Sequence, residues 1–272
     1  MSLTNLPSVS FIIACYNCAP YIVECLDSIF KQTYKGSIEI LVCDDCSTDN
    51  SREILKRYEA IGSIKLILNE TNLGAGESRN KCLRESTGSM IAILDADDYS
   101  SIDRIEKQVS ILSNHSEIDF VSGGLRKFFD DGSEYIMRSP ISNPRVKNFL
   151  YGLPFLHATT LFRKTALERV NGYRIAPETK RGQDYDLFMR IYAAGGKGIN
   201  IPDVVYHYRC FKNSKSRTRF RYRIDEAKIR AKGFKALGIN RFIALPYVIK
   251  PIIAGMIPEF LLQKYLEHKA QR

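Results

Sequence analysis

Three short acidic clusters carry the residue types with the most chemical potential in this chain. Asp95-Ala96-Asp97 places two carboxylates one residue apart, with Asp98 behind them, directly after the apolar run 90–94. Hard oxygen ligands on a short turn suit magnesium or manganese when phosphate oxygens and waters complete the shell. A solvated turn, or a cap for a helix beginning near residue 102, uses the same residues. If strand geometry continued past residue 94, Asp95 and Asp97 would point to one face. Asp44-Asp45 ends a second apolar run and can accept hydrogen bonds from a nucleotide, as strand-end acids do in dinucleotide folds, or cap a helix. Asp184 and Asp186 open an apolar helical run, where the helix dipole favours them and where one of them can act as a general base. Arg79 reaches either a phosphate or base, or a surface carboxylate such as Glu77.

The elements that must position these groups alternate strand and helix. Residues 8–14, 38–43, 64–68 and 90–94 read as strands, and helical patterns fill about 19–30, 47–60 and 75–86 between them. Such an order implies parallel βαβ units with right-handed crossovers, and continuous apolar strands imply a sheet covered on both faces. Ligand sites in open α/β sheets lie beyond the carboxyl ends of the strands. Tyr16-Asn17, Asp44-Asp45, Gly74 to Gly76 and Asp95 to Asp98 all fall at such ends. The second half is less regular: a strand over 120–129 with a glycine interruption, a hairpin turn at Asp131-Gly132, and a proline-bearing loop with Pro140, Pro144 and Pro154. A helix over 183–194 and a strand over 203–208 follow, and from residue 214 the pattern predicts two or more helices without further sheet.

At 272 residues, 44% hydrophobic and 26% charged, the chain has an ordinary soluble globular composition, with no low-complexity tract or internal repeat. Cys15 and Cys18, with Cys43 and Cys46, allow a four-cysteine zinc site; burial of free thiols in a reducing cytoplasm is the simpler expectation, since no signal peptide precedes them. The net charge of +10 is concentrated: residues 209–235 hold eleven Lys or Arg against Asp225 and Glu226. That stretch predicts an acidic partner, whether nucleic acid, anionic membrane or phosphorylated ligand.

The ordered motifs Ser10-Phe11-Ile12-Ile13-Ala14-Cys15-Tyr16-Asn17, Asp44-Asp45-Cys46-Ser47-Thr48-Asp49, Asn72-Leu73-Gly74 with Ser78-Arg79-Asn80, and Asp95-Ala96-Asp97-Asp98 resemble glycosyltransferase family 2. The run 157–164, the Asn171-Gly172-Tyr173 turn and Gln183-Asp184-Tyr185-Asp186-Leu187 extend the likeness, which covers residues 7–210. The resemblance implies an α/β GT-A fold, a Rossmann-like and mostly parallel central sheet flanked by helices. It implies a nucleotide-sugar-binding half over 1–98, an acceptor-binding half over 99–210 and a helical extension over 211–272. It assigns donor contacts to Ala14, Tyr16, Asp45, Gly74, Arg79 and Asp95, with Asp45 on the nucleobase. It places Mn2+ or Mg2+ on Asp97 and Asp95, the catalytic base on Asp184, and acceptor contacts on His157, Gln183 and Asp186. Gln183 departs from the family pattern, which commonly has Glu there. The implied activity is inverting transfer from a nucleotide diphosphate-sugar, a UDP-sugar by preference, to a hydroxyl of a lipid-linked glycan in surface polysaccharide or glycoconjugate biosynthesis.

The tail over 242–262 is apolar but interrupted by Lys250, Glu259 and three prolines, and its longest uncharged stretch, Pro251 to Pro258, falls far short of the roughly 20 residues a bilayer demands. It predicts either a surface-lying segment at the inner face of the cytoplasmic membrane, drawn to anionic lipid together with the basic stretch (209–262 in all), or a cover for the core or an oligomer interface. A dehydrogenase is excluded by the missing glycine fingerprint after the first strand, where residues 14–17 stand instead. A nucleic-acid or non-catalytic binder using 209–235 would leave the acidic strand ends without a role, and no nucleic-acid partner is expected.

Overall fold

The computed structural model describes residues 6–211 and 220–256. Four parallel strands form one side of a single sheet: β1 (Val9–Cys15), β2 (Ile38–Asp44), β3 (Lys65–Leu68) and β4 (Met90–Asp95). Helices α1 (Ile22–Phe30), α2 (Ser51–Ala60) and α3 (Ala75–Glu85) make the crossovers. The chain continues through β5 (Tyr99–Ser100), α4 (Arg104–Asn114), β6 (Phe120–Phe129), β7 (Glu134–Met137), β8 (Leu161–Arg163) and α5 (Lys164–Glu168). It ends with α6 (Gln183–Ala193), β9 (Gly198–Cys210), α7 (Phe220–Ala236) and α8 (Arg241–Met256). Strand order is β3-β2-β1-β4-β8-β6-β9-β5, with β7 on β6, so the parallel half runs without a break into a mixed half through the antiparallel β4–β8 ladder.

Period-two alternation sorts the core into two layers. Phe11, Ile13 and Cys15 of β1, Ile40 and Val42 of β2, and Ala92 and Leu94 of β4 pack with α1, α2 and α4. Ile12, Leu41, Cys43, Ile91 and Ile93 face the other way, onto α3, α6 and α7. The same alternation aims the acidic strand ends. Asp44 falls in phase with Val42 and is fully buried against Arg52 of α2 at 2.9 Å, whereas Asp95 falls in phase with Ile93, toward α3.

The glycine interruption in β6 is a bulge: the pairing with β9 slips between Ser122 and Leu125, and a Cβ on Gly123 would stand 2.5 Å from Val205. The Asp131-Gly132 turn closes the β6–β7 hairpin, with Gly132 N–H donating to Phe129 O at 3.0 Å. Three expectations are corrected. β8 is a three-residue strand wedged between β4 and β6, too short to leave a period in the sequence. Pro246 and Pro251 do not break the tail but lie inside α8. A four-cysteine zinc site is ruled out by the pleat, which puts Cys15 and Cys43 in opposite core layers. The part of the basic stretch over 212–219 and the tail over 257–272 lie outside the described residues.

Candidate active site

The loops after β1 and β2 are tied to each other. Asn17 N–H donates to Ser47 Oγ at 3.0 Å, Cys18 N–H to Ser51 Oγ at 2.9 Å, and Ala19 N–H to Asp49 Oδ2 at 3.1 Å. Asn17 sits at φ 53°, a left-handed conformation that Asn tolerates, and its Oδ1 accepts from Thr48 N–H at 2.8 Å. Tyr16 is left half-exposed at the rim. Asp45 is buried and anchors the third loop: its oxygens accept from Asn69 Nδ2 at 2.7 Å and from the N–H groups of Leu73 and Gly74, each at 2.8 Å. Gly74 adopts φ 87°, which a side chain would strain, and that turn aims the start of α3 at the strand ends.

Strand geometry stops at Asp95. Asp98 N–H returns to Asp95 O at 3.1 Å, so the acidic cluster is a turn and not an extension of β4. β9 clamps this turn from the far side. Tyr206 Oη donates to Asp98 Oδ2 at 2.8 Å and accepts from Asp95 N–H at 3.1 Å, while Arg209 N–H reaches Asp98 Oδ1 at 2.7 Å and its Nε reaches Asp97 O at 3.0 Å. Burial, with the charges of Asp95 and Asp97 added, pushes Asp98 up to about 8. Burial and the neighbouring Asp95 also raise Asp97.

Three successive side chains at the middle of α3 reach three different partners. Ser78 Oγ accepts from Asn69 Nδ2 at 3.1 Å, Arg79 Nη2 donates to Asp95 Oδ1 at 2.5 Å, and Asn80 pairs with the backbone of Tyr173. Asn80 gives and takes one bond there, each 2.8 Å, as a strand neighbour would. Arg79 is 6% exposed, and its Nε and Nη1 have no partner among the described residues. Burial opposes its charge but the Asp95 carboxylate outweighs that cost, so the guanidinium holds its proton more tightly than usual. Two buried donors with no acceptor are costly unless a ligand supplies one.

Asp95 and Asp184 line one open cleft of about 390 Å³, together with His157, Lys127 and Tyr208. Asp184 is the second residue of α6, and its Oδ1 accepts from Tyr185 N–H at 2.8 Å. His157 shares a 2.7 Å hydrogen bond with Tyr173 Oη; burial, then the Arg79 charge, lower it to about 4, so the imidazole is neutral. The fold thus brings Asp95, His157 and Asp184 to one cleft, with Arg79 paired to Asp95, Tyr173 bonded to His157, and Ala14 beside Asp95 in the β1–β4 register.

Two expected acceptor contacts fall elsewhere. Asp186 is buried, with Oδ1 held by Arg174 at 2.7 Å and Oδ2 by Arg190 at 2.7 Å, and it lines neither cavity at Asp184; it is a structural ion-pair centre. Gln183 packs its carboxamide against Gly76, joining α6 to α3. Tyr206 and Arg209 were not singled out for the site, because their partners lie more than a hundred positions away and no spacing connects them. Arg209 belongs to the acidic turn and not to a free basic surface. Much of α7 is likewise engaged within the chain: Arg230 with Glu226 at 2.9 Å and Lys232 with Glu178 at 2.6 Å.

A mixed sheet whose strand ends carry an acidic turn, a buried arginine paired to Asp95 and a glycine loop, with the helix-borne Asp184 sharing the cleft of Asp95, invites comparison with nucleotide-sugar enzymes. A family model, glycosyl transferase family 2, matches residues 10–170, and the chain belongs to that family. EpsE of Bacillus subtilis, by name a glycosyltransferase, is 35% identical over 261 residues, covering 95% of this chain and 93% of that one. The Escherichia coli UDP-Glc:alpha-D-GlcNAc-diphosphoundecaprenol beta-1,3-glucosyltransferase WfaP is 30% identical over 242 residues, 88% of this chain and 91% of the other. The crystal structure of Staphylococcus aureus TarS 1-349 in complex with UDP-GlcNAc superposes with a TM-score of 0.70 at 21% identity, over 89% of this chain and 73% of that one. The mannosyltransferase PcManGT from Pyrobaculum calidifontis in complex with GDP-Man and Mn2+ gives a TM-score of 0.60 at 24% identity, over 99% and 82%. The fold is GT-A, and the chain is a glycosyltransferase.

Proposed function

We propose that this glycosyltransferase moves a sugar, with inversion, from a uridine diphosphate-sugar to a hydroxyl of a lipid-linked glycan in the synthesis of a surface polysaccharide. The observation that carries the reading is the cleft shared by Asp95 and Asp184, with the buried, under-partnered Arg79 paired to Asp95. The names of WfaP, which acts on a diphosphoundecaprenol-linked sugar with UDP-Glc, and of TarS, solved with UDP-GlcNAc, support the donor and acceptor classes.

Tyr16, Ala14, Asp45 and Gly74 line the donor side in this reading, and Arg79 offers its free N–H groups to the diphosphate. No group of three or more His, Cys, Asp or Glu among the described residues is arranged as a closed metal cage. Asp97 and Asp95 nevertheless fit Mn2+ or Mg2+, ions that take one or two carboxylates and complete their shell with substrate phosphate and water. Burial, and then the Asp95 charge, raise the proton affinity of Asp97, and a bound cation would offset both. The ion, when bound, supplies charge neutralisation for the departing diphosphate. Asp184 takes the proton of the acceptor hydroxyl as its oxygen bonds to the anomeric carbon from the face opposite the leaving group. The bond from that carbon to the diphosphate breaks, and its electrons leave with the nucleotide. His157, neutral and fixed by Tyr173, borders the acceptor.

Among the described residues no helix is long and apolar enough to cross a membrane. α8 instead exposes Phe242 (71%), Leu245 (54%), Ile249 (38%), Ile253 (56%) and Met256 (71%), spaced three or four apart on one stripe. Such a stripe beside Arg241 and Lys250 suits an anionic membrane surface. The engagement of α7 cations within the chain disfavours the nucleic-acid alternative.

Calorimetric titration with UDP, GDP, CDP and dTDP, each with manganese and with chelator, tests the donor: UDP binding lost with chelator is expected, and no binding to the folded protein would sink the reading. Asp184→Asn should lower transfer by about 10²–10⁴-fold while nucleotide binding stays within about twofold. Retained transfer would remove Asp184 as the base. Phe242→Ser with Ile253→Ser should abolish co-sedimentation with anionic vesicles; unchanged sedimentation would refute the membrane stripe.

A further inference from the structure

Asp184 has two sides. Besides the cleft it shares with Asp95, it lines a second cavity of about 370 Å³, between the start of α6 and helix α7. Three arginines stand around that cavity: Arg181, Arg223 and Arg230. Arg230 is satisfied, by Glu226 at 2.9 Å and by Leu150 O at 3.2 Å. The other two are not. The Arg181 guanidinium stands over the Tyr222 ring, 4.3 Å from its centroid, and makes no ion pair among the described residues. Arg223 has only Glu226 at 3.6 Å, a carboxylate already held closely by Arg230.

With Glu226 so engaged, two guanidinium groups with free donors border a pocket where Asp184 is the one remaining carboxylate of the wall. Stacking on Tyr222 holds the Arg181 fork in a plane while leaving its N–H edge open. Paired forks of this kind match the oxygens of a phosphate, while a neutral sugar needs no such charge.

We infer that this cavity is the acceptor subsite and that Arg181 and Arg223 bind a phosphate ester carried by the acceptor. The inference rests on the transferase reading and deepens it. An acceptor hydroxyl at Asp184 then has its sugar directed away from the donor, and its phosphate toward α7. α8 reaches the same arginine through its packed face, since Gly255 lies close to Arg223 and Phe220. A phosphate carried by a lipid would offer its oxygens to the two arginines. A soluble phosphate ester presents the same chemistry.

The test uses the full chain in chelator, where donor-site binding of diphosphate is suppressed. Octyl diphosphate, inorganic pyrophosphate and, as the neutral control, octyl glucoside are titrated into the wild type, Arg181→Ala/Arg223→Ala and the remote control Lys31→Ala. The expected result is binding of both phosphate probes but not the glucoside, weakened about tenfold or more in the double variant and unchanged in Lys31→Ala. Tighter binding of octyl diphosphate than of pyrophosphate identifies a lipid-linked source, and equal binding a soluble one; each supports the subsite. No phosphate binding, or equal binding by wild type and double variant, overturns it. UDP binding with manganese, measured on the same samples, separates the two readings: retained UDP binding with no phosphate effect refutes the subsite alone, whereas absent UDP binding in the wild type refutes the transferase donor assignment.

Discussion

Tyr206 holds two parts of the acidic turn at once, donating its hydroxyl to Asp98 at 2.8 Å and receiving the Asp95 N–H at 3.1 Å. A strand from the mixed half of the sheet thereby fixes the acidic turn. Tyr206→Phe keeps the ring and removes both bonds, leaving Asp98 Oδ2 and the Asp95 N–H without this hydroxyl while Arg209 N–H still holds Asp98 Oδ1. A loss of about 1–3 kcal/mol in urea unfolding is expected, with nucleotide binding weakened in parallel. Unchanged unfolding and binding would show that the turn stands without β9.

Arg79 joins the glycine loop to the acidic turn through Asp95. Lysine keeps the charge but cannot reproduce the planar fork, so Arg79→Lys should weaken manganese-dependent nucleotide binding by about tenfold. If it binds as the wild type does, Arg79 serves the fold and not the donor.

Gly76 and Gln183 form a tight pair between α3 and α6: a Cβ on Gly76 would stand 2.4 Å from Gln183 Oε1. The clash falls on the free end of a flexible side chain, so Gly76→Ala should cost little stability and displace the carboxamide beside Asp184. Transfer kinetics of Gly76→Ala, Gln183→Ala and the double variant should be non-additive, the double resembling Gln183→Ala. Simple additivity would show that the two residues act apart.

His157 gives a pH signature. Its proton affinity is lowered from 6.5 to about 4 in the folded state, so between these values the unfolded chain binds a proton that the folded one refuses. Stability conferred by the neutral imidazole is present above pH 6.5 and is lost as pH falls toward 4, by about 3 kcal/mol for this group. Urea unfolding of wild type and His157→Gln at pH 7.0 and 4.5 should show the smaller acid loss in the variant. Equal losses would mean that His157 titrates normally.

The parallel half was legible because its strands alternate between two apolar layers, so residues 11, 12 and 13 alone announce two covered faces. The same pleat separates Asp44 from Asp45, a distinction invisible while both were read as one acidic pair. Asp184 and Asp186 were equally eligible on spacing. Only the positions of Arg174 and Arg190, which no local pattern reveals, turn Asp186 into an ion-pair centre. Arg209 was hidden by its neighbours, since a cation among many reads as bulk charge until its own partner is located. The prolines of α8 misled in the opposite direction, because propensity is local and a helix packed along α7 can override it.

The unbroken ladder from β4 through β8 to β6 has a consequence for how substrates enter. Two halves joined by backbone hydrogen bonds across one sheet possess no hinge, since rotating one against the other would tear paired strands apart. Access to the cleft is then timed at its margins, by the loops after the strands and by the α6–α7 wall. The separation of Asp95 from Asp184 is then a constant of the architecture rather than a variable set by two moving bodies.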